Sequence, residues 1–328
     1  MRLGPLELSS SNGRSGPAVA DIVAVQLDCD ERPPTVLARY WQPIRSYITP
    51  AWYGFADVDL VTHNEYDQLL ANAIMALATP ELPQHFSRLV KCLASFDNLI
   101  IIAYHGEYRP AVLYREYTDP VVYLPMDNQY LGGDYLLDPF YREHLRGGVQ
   151  GIRRLVDVAP DHFKRTHYYK NYYQQTTLLD EVAVFAQITE DVTLTACFGR
   201  DRSSGEPFNR HELGTLQQYA MTLSTLLEKH WQEYRFEGVI EAAPAPLEER
   251  LRETLNQQHN IRLSPRQAEV ALFILRGHSS LSISLHLNVS LQTVKVFRRQ
   301  LYAKCCISSQ AELFALLMPL FAQLTGHK

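Results

Sequence analysis

From Ser264 to Leu320 the sequence starts and stops helices at such short intervals that a bundle of short helices is the compact arrangement open to it. Ser264-Pro265-Arg266-Gln267 opens the first, with Ser as the cap, Pro at the first helical position and Gln able to reach back to the cap amide. Val270, Phe273 and Ile274 then mark a buried face, and Gly277 supplies a left-handed stop. Ser279 begins a second helix with Ile283 and Leu287 inward, ended by Asn288, which tolerates positive φ. Only Asn288-Val289-Ser290 separates it from the next helix. A connection that short forces the pair into the angled geometry of a helix-turn-helix.

The third helix, Leu291 to about Lys304, has two distinct faces at 100° per residue. Val294, Phe297 and Leu301 point inward, while Gln292, Lys295, Val296 and Arg299 point the opposite way, where a recognition helix meets base edges in a major groove. Arg298 on the flank, Ser290 and Thr293 at the helix N-terminus and Lys304 at its end suit the phosphate backbone. Ser309-Gln310-Ala311-Glu312 is a second capping box, opening a fourth helix. Its apolar stripe of Leu313, Leu316, Leu317 and Leu320, if exposed, would serve dimerisation.

Charge agrees with this assignment once it is divided by segment. From Ile261 onward eight Lys and Arg face two Glu, a net +6, which leaves −11 for the rest of a chain whose total is −5. A basic tail on an acidic body fits a module that binds a polyanion, joined to one that stays off it.

The run LSPRQAEVALFILRGHSSLSISLHLNVSLQTVKVFRRQLYAKCCISSQAEL resembles the LuxR/FixJ-type DNA-binding domain over about 60 residues. The resemblance rests on the Leu-Ser-Pro-Arg opening, the Gly277 stop, Val289-Ser290, Thr293-Val294-Lys295-Val296 and the closing Ser-x-Ala-Glu-Leu. It implies double-stranded DNA as a partner, Lys295, Val296 and Arg299 as base readers, and Thr293 and Arg298 as backbone contacts. Two departures stand out: Leu281-Ser-Ile-Ser284 replaces the usual Lys-Glu-Ile-Ala, removing charge from a surface where RNA polymerase is a candidate partner, and Phe297 replaces a common His.

Upstream, residues 1–60 read as a loosely ordered extension with a short helix over 34–47, and Glu241 to Arg250 lies in a Pro-containing linker, 237–258. Between them, 61–236 alternates helical and strand patterns. Two helices lie within 63–96. A hairpin follows, with strands over 98–104 and 111–117, then helices over 138–145 and 166–175, strands over 182–188 and 193–199, and one long helix over 209–231. The predicted architecture is α+β, an antiparallel-sheet α/β sandwich of the PAS/GAF kind followed by an all-α four-helix domain, 259–328.

The acidic pair and phosphoacceptor Asp of a receiver domain do not appear in the front part. Asp138-Pro139 followed by helix, strand, strand and long helix resembles instead the autoinducer-binding domain of LuxR-type regulators. That family's Trp and Tyr ahead of Asp-Pro are not reproduced, which argues against an acyl-homoserine lactone as ligand. Asp138-Pro139 also reads as a plain N-cap. Tyr168, Tyr172 and Tyr173 fall in stripes of one predicted helix, as core or as pocket wall. With Tyr135, Asp138 and Phe185 they form the candidate set for a small-molecule effector of unknown identity.

Several classes are disfavoured. Five cysteines without CxxC spacing or partnered histidines give neither a zinc site nor a disulfide framework and fit a reducing cytoplasm. The N-terminus has no signal-peptide pattern, and the apolar run over 313–324 is too short to span a membrane. No nucleophile elbow, phosphate loop or cofactor motif is present, so neither catalysis nor a cofactor is expected. The expectation is a cytoplasmic, homodimeric, ligand-responsive DNA-binding regulator. The alternative is the same DNA-binding type under control of a protein partner.

Overall fold

The computed structural model describes residues 60–235 and 245–324, which fall within one compact unit, Leu60–Lys328. The extension expected over 1–60 and the short helix over 34–47 lie outside the described residues, as does part of the linker.

A five-stranded antiparallel sheet organises the first part, in the order β2-β1-β5-β4-β3. β1 (Asn98–His105) and β2 (Ala111–Tyr117) form the expected hairpin, with an irregularity in register between Ile101 and Ile102. β5 (Val192–Arg200) pairs on one side with β1 and on the other with β4 (Asp180–Gln187), whose far edge carries β3 (Gly151–Arg154). Both faces are covered. Leu99, Ile101, Val182, Val184, Leu194 and Phe198 pack on α1 (Leu60–Met75), α2 (Leu82–Leu93), α5 (Arg210–Gln218) and α6 (Ala220–His230). Ile100, Ile102, Tyr104, Phe185 and Cys197 face α3 (Pro139–Arg146) and the irregular segments around it. This double burial makes β1 a near-continuous apolar run and leaves Thr193 and Thr195 of β5 fully buried.

Two expectations are corrected and two elements are new. The helix expected over 166–175 is a π-helical turn, Tyr168–Tyr172, followed by a 3₁₀ turn, Tyr173–Thr176, and Thr177 in the left-handed region at φ +62°. Its closely spaced tyrosines are all drawn to one core (Tyr168, Tyr172 and Tyr173 are each buried), more ring volume than one stripe of a regular helix presents. The long helix over 209–231 is two, broken at Tyr219. β3 and the one-turn α4 (Leu155–Val158) had no clear period in the sequence.

The C-terminal part is all-helical: α7 (Leu247–His259), α8 (Pro265–Arg276), α9 (Ser280–Leu287), α10 (Leu291–Lys304) and α11 (Gln310–Leu324). The capping signals act as read. The Ser264 hydroxyl accepts the Gln267 amide, and the Gln267 side chain accepts the Ser264 amide at 2.9 Å. Gly277 at φ +95° and Asn288 at φ +51° end α8 and α9. The stripe assigned to dimerisation is already used: Leu313, Leu317 and Leu320 are buried and Leu316 half-buried, with α11 against α7 and α8. Among the described residues, no helix is long and apolar enough to cross a membrane.

Candidate functional site

α10 is built to show a polar face. Its start is fixed by Ser290, whose hydroxyl accepts the Thr293 amide at 3.0 Å and lies 2.8 Å from the Thr293 hydroxyl. Val294 and Leu301 are fully buried and Phe297 packs half-buried against the same core. That anchors one side. On the opposite side Gln292, Lys295 and Arg299 are exposed and Val296 is half-buried among them, so the four base-reading candidates share one surface. Neither Lys295 nor Arg299 makes an ion pair among the described residues. Two flanking cations are tethered instead. Arg298 donates to the Ser280 hydroxyl at 2.9 Å and to the Tyr302 hydroxyl at 3.3 Å, and Lys304 donates to the Arg262 carbonyl at 2.8 Å and Gln267 Oε1 at 2.9 Å.

The ligand candidates also converge. Tyr135, Asp138, Tyr168, Tyr172, Tyr173 and Phe185 are all buried in the core on the α3 face of the sheet. Asp138 caps α3 by accepting the Phe140 amide at 2.8 Å, and its other oxygen accepts the Tyr130 hydroxyl at 2.5 Å. Tyr130 lies in turn 2.7 Å from the Tyr104 hydroxyl. Asp138 is thus the N-cap that Asp-Pro signals, and also the end of a buried phenol chain. Burial pushes the Asp138 carboxyl up to about 6, against the hydrogen bonds that favour its charged form. Glu181, on β4, is raised well above the ordinary carboxylate range by burial and then by the nearby charges of Asp138 and Asp180.

The rings pack on one another rather than around a void. Tyr168 stacks on Tyr172 at 5.2 Å between centroids, and Tyr172 lies 5.4 Å from Tyr130. Tyr173 lines a half-open cleft of about 400 Å³ walled also by Leu155, Phe163, Tyr169 and Asp180. Sequence reasoning missed Tyr104 and Tyr130. Tyr130 had a local signal, eight residues ahead of Asp138, whereas Tyr104 is joined to the group only through the sheet.

The loop lining that cleft also touches the helical part. The Asp161 carboxylate accepts the Ser279 amide at 2.9 Å, at the start of α9, and the His162 amide donates to the Gly277 carbonyl at 2.8 Å. A Cβ on Gly277 would sit 2.6 Å from the Thr166 methyl, so glycine is needed there for close approach as well as for its positive φ.

Comparison with known proteins locates the family signal in the C-terminal part. Residues 262–317 match the family of bacterial regulatory proteins described as the luxR family. An Aeromonas salmonicida protein, named as an HTH-type transcriptional regulator in the exeN 3′ region, is 26% identical over 185 residues, spanning 55% of this chain and 93% of that one. Among solved structures, the VqsR LBD domain from Pseudomonas aeruginosa aligns with 52% of this chain and 99% of its own, at 22% identity and a TM-score of 0.44. Escherichia coli SdiA aligns with 80% of this chain and 98% of its own, at 16% identity and a TM-score of 0.35.

Proposed function

We propose that this chain, whose C-terminal helices are a LuxR-family helix-turn-helix domain, reads the major groove with Gln292, Lys295, Val296 and Arg299 and answers to a small molecule bound by its sheet part. Ser290, Thr293, Arg298 and Lys304 meet the phosphate backbone. For Arg298 and Lys304 this requires exchanging the tethers to Ser280, Tyr302, Arg262 and Gln267 for phosphate oxygens. The domains run 61–236 and 259–328, with the intervening 237–258 a linker whose second half is taken up by α7, packed on α8 and α11, and two copies present paired half-sites about 34 Å apart. RNA polymerase is a further partner in this reading, and the setting is the cytoplasm.

The observation that carries it is the division of α10: Val294 and Leu301 at 0% exposure on one side, and unpaired Lys295 and exposed Arg299 on the other. Binding to operator and random duplexes tests it. Arg299→Ala is expected to weaken operator binding by about 1 to 3 kcal/mol and relax one base preference, while Arg298→Ala weakens both duplexes alike. Equal losses on both duplexes for both variants would sink the assignment.

Effector control rests on the polar groups buried beneath the sheet, Asp138 with Tyr130 and Tyr104, and Glu181 beside them. A ligand would have to part the stacked tyrosines or enter by the cleft at Tyr173. A second reading, control by a protein partner, is favoured by that filled core together with an apolar groove lined by Leu70, Ile74, Leu77 and Met221, where Ile74 is 52% and Met221 57% exposed. Mass spectrometry of small molecules retained by the purified chain separates the two. Recovery of one compound that raises the unfolding temperature supports the effector, and partner capture lost on Met221→Asp with no retained compound supports docking.

A further inference from the structure

Arg276, the last residue of α8, is 3% exposed, and its Nε is buried without a hydrogen-bond partner. No ion pair joins it to any carboxylate among the described residues. Arg142 of α3, half-buried and likewise without an ion pair among the described residues, is near enough for its charge to act on Arg276. A buried Nε–H with no acceptor is unfavourable, and a second cation nearby adds repulsion. The two carboxylates within electrostatic reach do not resolve this. Glu107 is committed to Arg250 at 2.7 Å, and Glu248 feels both arginines without closing to ion-pair distance of either. A further buried polar atom with no partner, the Tyr135 hydroxyl, lies in the field of Arg250 and Arg109. Burial and the neighbouring Arg142 pull the Arg276 guanidinium down to about 9, as expected of a cation whose counter-charge is missing.

We propose that the junction of α3, α7 and α8 is a binding site for a small oxoanion, a phosphate or carboxylate group held between Arg142 and Arg276. The planar donors of two guanidinium groups suit two oxygens of one such group, and the low-dielectric surroundings strengthen each charged hydrogen bond. Because Arg142 belongs to the sheet part and Arg276 to the DNA-binding part, the bound anion ties the two together. The site is separate from the tyrosine core beneath the sheet and goes beyond the effector reading above.

The test uses the full chain at constant ionic strength, with potassium chloride replaced stepwise by inorganic phosphate, pyrophosphate or citrate, read by thermal unfolding and by calorimetric titration. The wild type should show a saturable rise in unfolding temperature with at least one of the three. Pyrophosphate ahead of citrate assigns the phosphate source, and the reverse assigns the carboxylate. Arg142→Leu and Arg276→Leu should each weaken that binding at least tenfold. Without anion, Arg276→Leu should unfold above the wild type, since an uncompensated charge has gone, and Glu248→Gln should bind the anion more tightly by removing a competitor. A wild type that responds to none of the three overturns the proposal. So does an equal response in wild type and Arg142→Leu, which would mean an adventitious ion only, and Arg142→Leu decides the matter if Arg276→Leu does not fold.

Discussion

The two parts of the molecule treat their carboxylates in opposite ways. Beneath the sheet, burial raises Asp134 and Asp138 each to about 6 and lifts Glu181 as well. At the start of α11, Glu312 is lowered by the Ser308 amide and the Ser308 and Ser309 hydroxyls. In the helical part most polar side chains sit at helix ends and serve the backbone, and the interior is mostly aliphatic, with Gln267 and Arg276 among its buried exceptions. In the sheet part polar groups lie inside, among tyrosines, and the phenol chain from Asp138 through Tyr130 ends on Tyr104 of β1. The first design gives α10 a fixed aliphatic seat. The second stores unfavourable burial that a proton can relieve and, in the function proposed above, a ligand as well.

The largest effect that would sharpen this contrast is expected from Leu301→Ala. Leu301 is fully buried and its neighbours cannot collapse onto a methyl, so denaturant unfolding should show a loss of about 3 kcal/mol. A loss below 1 kcal/mol would mean that α10 is not seated on an aliphatic core, and that half of the comparison would go.

Asp138→Asn probes the other half through pH. The folded carboxyl ionises near 6 and the unfolded one near 3.8, so between those values the folded chain holds a proton that the unfolded chain has released. Stability from this group is therefore lost as pH rises from about 4 to about 6 and is constant above. His144 acts the other way: burial lowers it from 6.5 to about 4, so its contribution rises with pH over nearly the same window. Asn keeps one acceptor oxygen, enough for the Phe140 amide but not for Tyr130 as well, and cannot ionise. Between pH 4 and 6 the variant should gain on the order of 2 kcal/mol relative to wild type. Parallel pH profiles would show that Asp138 ionises like a surface group.

Local signals explain why one part was legible in the sequence and the other only in outline. Ser264, Gly277, Ser279, Asn288 and Ser290 each act within four residues of themselves, and all five end or begin the helices assigned to them. The exposed face of α10 followed from the same periodicity. Beneath the sheet, candidates such as Tyr135 and Asp138 were found from spacing. Their partner Tyr104 was not, because β1 brings it there, and neither was the refusal of 168–176 to be a regular helix, which is forced by ring packing. The dimerisation stripe failed for a related reason: α11 looks unpartnered until α7 folds back over it.

Gly277→Ala tests a residue that belongs to both categories. As a helix stop at φ +95° it resists a side chain locally, and its Cβ would press on Thr166 and the His162 backbone. Stability should fall by about 1 to 2 kcal/mol. If the long-range contact contributes, Thr166→Ser should recover part of the loss. No recovery would leave Gly277 a purely local stop.

The smallest expected effect compares one motif in two settings. Ser264 and Asn209 each head a capping box, the first closing with Gln267 and the second with Glu212. Glu212 is also gripped by Arg200 and by the Ser95 amide at 3.2 Å, whereas Gln267 reaches only within its own bundle, to Gln300 at 3.2 Å and Lys304 at 2.9 Å. Loss of the cap oxygen removes one acceptor for a helix-end amide in either place, so Ser264→Ala and Asn209→Ala should each cost about 1 kcal/mol. In neither variant is the third residue's side chain altered, and the wider network around Glu212 should hold. Chemical denaturation of the two variants decides whether capping is local in both parts. A cost for Asn209→Ala several times that for Ser264→Ala would show that even helix ends in the sheet part depend on distant residues.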